Sequence, residues 1–354
     1  ASKTLFPKIN RLKMSSTVTF DANLPSMGHT RNCHVAVALG RKIFVAGGYR
    51  KSTAECYDVD TKQWNEINSM STIRAGAAAV SLGNSIVVMG GTDGVSYVPL
   101  SSAEQYDTTS GQWSAFPSMN EARRGCAAAV LNGKIIVVGG WDRNDIALSS
   151  AEEYDPTTGV WSSIPPMHTK RCYCAAAVLD GQLYVVGGHG GNEGDDEHET
   201  LSSAEVYDPT TKGWSLITSM NHKRSMCAAA SLCGKVIVVG GYDGEGKYLA
   251  ACEAYNPTTR QWSSIPSMQT KRYGCAAVCV DGTLYVMGGQ DAREDDISSI
   301  EVLQMSTPLP KTSITSRLDA LEEAAGLEND SLVFKKRIES LEMRVFGDLQ
   351  EGAM

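Results

Sequence analysis

Short apolar runs recur along the chain at a fixed interval. "KIFVAGG", "SIVVMGG", "KIIVVGG", "QLYVVGG", "KVIVVGG" and "TLYVMGG" end in Gly-Gly pairs at 47–48, 90–91, 139–140, 187–188, 240–241 and 288–289. Within one unit, "CAAAVL" and "IIVVGG" are continuously apolar, the pattern of strands buried on both faces. "SSAEEYD" and "GVWSSIP" are half polar, as outer strands are. "DPTTG" between them places proline and glycine where a turn needs them. Four strands per unit and six units of about 48 residues predict an all-β, six-bladed propeller.

Each of the first five units also carries a tyrosine, a tryptophan seven residues later and a methionine six residues beyond that, as in Tyr57, Trp64 and Met70. The sixth unit lacks its outer strand: "SSIEVLQM" puts Leu303 in the tyrosine slot, and no tryptophan follows. "TFDANLPSM" (19–27) resembles "QWSSIPSM" (261–268), with one extra residue and Phe20 in place of tryptophan. The N-terminal strand is therefore expected to complete the last blade and remove an exposed sheet edge.

The Gly-Gly doublet, the Tyr–Trp pair and the basic residue opening each unit resemble kelch repeats over residues 19–305. "SSAEVYDPTTKGWSLITSMNHKRSMCAAA" is especially similar to the propellers of BTB–kelch substrate adaptors of cullin ubiquitin ligases. The resemblance implies a non-catalytic protein-recognition module, with a ligase or actin as further partners. Some kelch propellers are enzymes, among them copper oxidases and sugar mutarotases, so a sugar-modifying activity is the reading from a different class.

Arg31, Arg74, Arg123, Arg171, Arg224 and Arg272 lie between the outer strand of one unit and the inner strand of the next. A propeller places such connections around the mouth of its channel. There, a ring of guanidinium groups would bind carboxylates in bidentate fashion, and the resemblance implies an acidic peptide as ligand. The competing reading is structural. Glu55, Glu104, Glu152, Glu205, Glu253 and Glu301 recur at the same fixed phase, so the arginines and glutamates could instead form blade-to-blade salt bridges.

Cys126, Cys174, Cys227 and Cys275 share a slot with His34 and Ala77, seven residues after each repeat methionine. Ligands about 50 residues apart lack the short paired spacing of zinc sites. The neighbouring alanines point instead to small residues filling a crowded inner strand. "HGGNEGDDEHETL" (189–201) is acidic without the spacing of a calcium loop. No nucleophile elbow, P-loop or dinucleotide fingerprint occurs, so neither catalysis nor a cofactor or metal is expected.

Composition narrows the partners further. A net charge of −8 argues against nucleic acid as a partner, and no run of 18 apolar residues could cross a membrane. The first twenty residues are basic without a continuous apolar core, against a secretory signal. Ten cysteines in apolar surroundings fit a reducing, cytoplasmic setting. The expected domains are a basic segment (1–18), the propeller (19–305) and a linker with a helical or coiled-coil tail (306–354), in which "RLDALE" and "RIESLE" repeat and self-association is open.

Overall fold

The computed structural model describes residues 19–191 and 199–305. The basic segment, the predicted tail and residues 192–198 of the acidic loop lie outside the described residues. Within them the chain forms the expected six four-stranded antiparallel sheets. Blade 1 consists of Val35–Leu39, Lys42–Ala46, Ala54–Asp58 and Gln63–Ile67. Blade 2 comprises Ala78–Leu82, Ser85–Met89, Ala103–Asp107 and Gln112–Phe116, and blade 3 Ala127–Leu131, Lys134–Val138, Ala151–Asp155 and Val160–Ile164. Blade 4 is built from Ala175–Leu179, Gln182–Val186, Ala204–Asp208 and Gly213–Ile217. Ala228–Leu232, Lys235–Val239, Cys252–Asn256 and Gln261–Ile265 make blade 5, and Ala276–Val280, Thr283–Met287 and Ile300–Gln304 begin blade 6.

The N-terminal strand Phe20–Asp21 completes blade 6, with Phe20 opposite Leu303 and Asp21 opposite Val302. This is the register of Trp64 opposite Tyr57, so Phe20 occupies the tryptophan slot. Pairing stops after two residues, whereas every other outer strand has five. The extra residue carries the chain off the strand path, and the Asp21 carboxylate accepts the Asn23 N–H at 2.9 Å where the turn begins. On the opposite face Arg41 of blade 1 pairs with Asp281 of blade 6, tying the same seam.

First strands of neighbouring blades lie side by side around the axis, which explains their alanine content. Second strands are buried on both faces, with Val45, Val87, Val137, Val185, Val238 and Val286 fully enclosed. Each of these apolar clusters joins the first three strands of one blade to the second and third strands of the next, so the core is a ring of inter-blade seams. Outer strands add a polar tie. Trp64, Trp113, Trp161, Trp214 and Trp262 donate their indole N–H groups to carbonyls of the preceding blade at 2.6–3.0 Å. Phe20 has no such donor.

The Gly-Gly doublets sit where successive blades approach most closely. Gly47 has φ +68°, and a Cβ there would come within 2.5 Å of the Arg74 carbonyl oxygen of blade 2. Gly83, in a hairpin, has φ +58° but nothing within 4 Å of its Cβ position. Both alanine substitutions meet the left-handed backbone penalty of about 1–2 kcal/mol, and only Gly47→Ala adds a collision with backbone. Gly47→Ala is therefore expected to lower the thermal midpoint clearly more than Gly83→Ala; equal losses would contradict close inter-blade packing.

Candidate functional site

Antiparallel blades bring the loops between second and third strands to the same face as the connections between blades. On this face the sequence placed its arginine ring, and here the structure corrects it. Arg31, Arg123, Arg171, Arg224 and Arg272 are fully buried, and Arg74 is 1% exposed. Each guanidinium turns inward, to the third strand of the blade it opens. Arg31 donates from Nε and Nη2 to Glu55 at 3.1 and 2.9 Å, and from Nη1 to the Gly47 and Thr53 carbonyls at 2.7 and 2.9 Å. Its last donor reaches the Thr53 hydroxyl at 2.9 Å. Arg171 and Arg272 likewise spend all five N–H groups internally. A partner's carboxylate finds no free donor there.

The glutamates are equally committed. The second oxygen of Glu55 accepts the Gly28 N–H at 2.6 Å, and Glu104 accepts N–H groups from Ser71 and Thr72 at 2.7 and 3.2 Å. Burial alone would raise the Glu104 pKa, but hydrogen bonds from Ser71 and the charge of Arg74 hold it below the ordinary carboxylate range. The arginine–glutamate pairing expected from the sequence is thus observed, but not from blade to blade. It operates within the blade that each arginine opens, while the arginine's main chain makes the inter-blade contact. Gly48 N–H donates to the Arg74 carbonyl at 2.9 Å, and Gly289 N–H donates to that of Arg31 at 2.7 Å, closing the circle.

Two residues beyond each arginine, a ring of main-chain hydrogen bonds surrounds the axis. Gly76, Gly125, Tyr173, Met226, Gly274 and Cys33 each donate an N–H to the preceding member at 2.6–3.0 Å. All six have positive φ, including the non-glycine Cys33, Tyr173 and Met226. A Cβ at Gly125 would meet the Tyr173 ring at 2.9 Å, so that tyrosine lies across the glycine side of the constriction.

Beside them lie the residues after the arginines and after the doublets, of which Ala75, Thr92, Arg124, Trp141, Cys172 and Ser225 are buried and Tyr49, His189, Tyr242, Tyr273 and Gln290 are half-buried. These slots pair across the face in isolated bridges: Ala75 with Thr92, Arg124 with Trp141, Cys172 with His189, Ser225 with Tyr242, and Tyr273 with Gln290. They are rich in aromatics. Arg124 sits 4.3 Å from the Trp141 ring centroid, and Trp141 meets Tyr173 edge to face at 5.4 Å. Across the mouth, Tyr248 stacks on Tyr273 at 4.9 Å. The sequence carried a signal for these positions: they vary from unit to unit beside residues that never do.

The thiol slot lies beneath the ring. His34, Ala77, Cys126, Cys174, Cys227 and Cys275 border a cavity of about 100 Å³. Burial pushes the Cys126 and Cys275 thiols up to about 11 and those of Cys174 and Cys227 up to about 12, which keeps them protonated. No cluster of three or more His, Cys, Asp or Glu side chains suited to a metal occurs among the described residues.

Known proteins agree with this architecture. The model of the KLHDC2/KLHL20/DRC7 Kelch-repeats domain matches residues 7–188 and 173–316. The chain belongs to the kelch-repeat family. Kelch propellers are mostly non-catalytic modules for protein–protein interaction and occur in ubiquitin-ligase adaptors. The kelch repeat and BTB domain-containing protein F47D12.7 of Caenorhabditis elegans is 34% identical over 97 residues, 23% of this chain and 17% of that protein. The F-box/kelch-repeat protein At3g27150 of Arabidopsis thaliana is 40% identical over 55 residues, covering 16% and 13%. This chain thus matches under a fifth of the length of either. The solved structure of YjhT superposes with a TM-score of 0.72 at 14% identity, over 80% of this chain and 98% of that one, which is likeness of fold.

His34 gives the kelch ring a pH dependence. It is 6% exposed, and neither ring nitrogen has a hydrogen-bond partner among the described residues. Burial, then the charges of Arg31, Arg272 and Lys51, lower its pKa from 6.5 to about 3. The folded state favours the neutral ring, so this contribution to stability is complete above pH 6.5 and is lost as pH falls from there toward 3. His34→Cys, which installs the residue used in four other blades, should flatten the fall in denaturant midpoint between pH 7.5 and about 4.5. Parallel curves for variant and wild type would contradict this.

Proposed function

We infer that this kelch propeller selects a protein partner through the mouth face, using the aromatic and basic side chains of the slots that flank the buried arginines. The observation that carries this is the division within each repeat. Arginine, glutamate and Gly-Gly are repeated in every blade and buried, while the slots after the doublets differ, with Thr92 and Trp141 buried and Tyr49, His189, Tyr242 and Gln290 half-buried. Structural constraint explains the former and leaves the latter free to differ. Aromatic and arginine side chains concentrate binding energy at protein interfaces, because they bury large areas at modest entropic cost.

The six arginines serve this role indirectly, by fixing the connections that carry the aromatic residues. Substrate selection for a ubiquitin ligase is the setting that best suits such a face. BTB and F-box segments appear in the names of its relatives, and ten thiol cysteines accord with a cytoplasmic environment.

Site-specific photocrosslinking in cells tests the face directly. A benzoylphenylalanine at position 97 or 248 should give a discrete crosslinked partner, and one at position 62 or 212, on the opposite hairpin turns, should not. A partner captured only from 62 or 212 would overturn the assignment. In the ligase role, the captured partner lives longer when this chain is depleted; an unchanged half-life would remove that role.

A further inference from the structure

The seam between blades 1 and 2 holds a cleft of about 560 Å³. Gly40, Asn84 and Thr108 of the hairpin turns border it, which places it on the face opposite the mouth. Phe44 and Cys56 of blade 1 and Tyr106 of blade 2 form a buried wall, and Ile67 of the outer strand extends it. The Phe44 and Tyr106 ring centroids lie 6.0 Å apart, so the wall is largely aromatic. Lys42 and Asn65, both exposed, add the polar groups. A cleft of this size falls within the range of small-molecule sites, roughly 300–1,000 Å³.

Blade 3 shows which group blade 1 lacks here. Its third strand reads "AEEYD" (151–155) where blade 1 reads "AECYD" (54–58), and both second strands open with lysine. Glu153, opposite Ile136, thus occupies the slot of Cys56, opposite Phe44. Lys134 binds Glu153 at 2.6 Å and Asp155 at 3.2 Å. Blade 1 keeps the lysine and the aspartate, as Lys42 and Asp58, but has a thiol in place of the glutamate. Lys42 consequently makes no ion pair among the described residues. Asp58 lies beside it, with Oδ1 accepting the Asp60 and Thr61 N–H groups at 3.0 Å. That aspartate does not exclude another acid: in blade 3 Asp155 accepts the Thr157 N–H at 2.8 Å and still shares Lys134 with a second carboxylate. Arg41, the neighbouring cation, is held by Asp60 and Asp281.

We propose that this cleft binds a small organic acid, whose carboxylate stands in for the absent glutamate and whose aromatic body fills the space over Cys56. The carboxylate meets Lys42, as that of Glu153 meets Lys134. The Asn65 amide, opposite Cys56 on the outer strand, supplies a neutral donor. The ligand's ring packs on Phe44, Ile67 and Tyr106, where tilted or offset contacts between rings are favourable. The site lies away from the mouth face and is independent of any partner bound there.

Titration of the full chain with 3-(4-trifluoromethylphenyl)propionate, followed by the fluorine NMR relaxation of the probe, tests this. The acid should bind at millimolar concentration or below, and its primary amide about fivefold more weakly. Cys56→Glu, which installs the blade 3 arrangement, should abolish binding while leaving the thermal midpoint at or above that of the wild type. Lys42→Gln, an exposed change that the fold tolerates, should weaken the acid about fivefold and leave the amide unaffected. Lys134→Gln in blade 3 should change neither by more than about twofold, and added salt should weaken the acid alone. Equal binding of acid and amide, binding of the acid that survives either Lys42→Gln or a folded Cys56→Glu unchanged, or no binding at millimolar concentration would overturn the proposal. Should Cys56→Glu fail to fold, Lys42→Gln and the amide decide it.

Discussion

A buried arginine, held by a glutamate and by main-chain carbonyls, is the interaction on which this propeller depends. Removing a guanidinium and a carboxylate from water is costly, and their mutual attraction compensates only when every remaining donor and acceptor is also satisfied. Arg31, Arg123, Arg171 and Arg272 meet it with all five donors engaged, and Arg74 and Arg224 engage four each. The arginine's side chain fastens it to its own blade, and its carbonyl accepts a hydrogen bond from the second glycine of the preceding blade. One residue thus joins two sheets, and the final link from Gly289 to Arg31 closes the circle. The glycines, the methionines behind them and the short inner strands are all shaped by the need to bring blades close enough for this link.

On the proposed reading, the same arrangement separates stability from recognition along each connection. Arg123 is sealed within the blade, Arg124 beside it is buried against Trp141, and Tyr49, Tyr242 and Tyr273 stay half-exposed. Stiff connections hold these side chains in place before any partner arrives, which reduces the entropic cost of association. The inner-strand thiols have no comparable opportunity, because burial keeps them protonated beneath the ring.

The fold was largely legible in the sequence because its signals are local and repeated. Gly-Gly marks strand ends, alternating polarity marks outer strands, and the absence of a tryptophan after Leu303 pointed to Phe20 at the other terminus. Spacing fixed the position of the six arginines on their connections but not the direction of their side chains. A periodic arginine meets a periodic glutamate equally well in a salt bridge or in a ring of ligand-binding groups. The direction follows from carbonyls of the loop between second and third strands, which become acceptors only once the blade is folded. The aromatic face was missed for a related reason. Tyr248 and Tyr273 are 25 residues apart and stack only because two blades adjoin.

The most direct test is a double-mutant cycle on Arg171 and Glu205, measured by equilibrium unfolding and paired with a partner-binding assay. Both side chains are fully buried, so Arg171→Ala should cost about 3–5 kcal/mol by stranding a charge. The double variant should recover part of that loss, with a coupling of about 1–3 kcal/mol. Near-wild-type stability of Arg171→Ala, together with selective loss of partner binding, would contradict the account and return the arginines to the recognition surface.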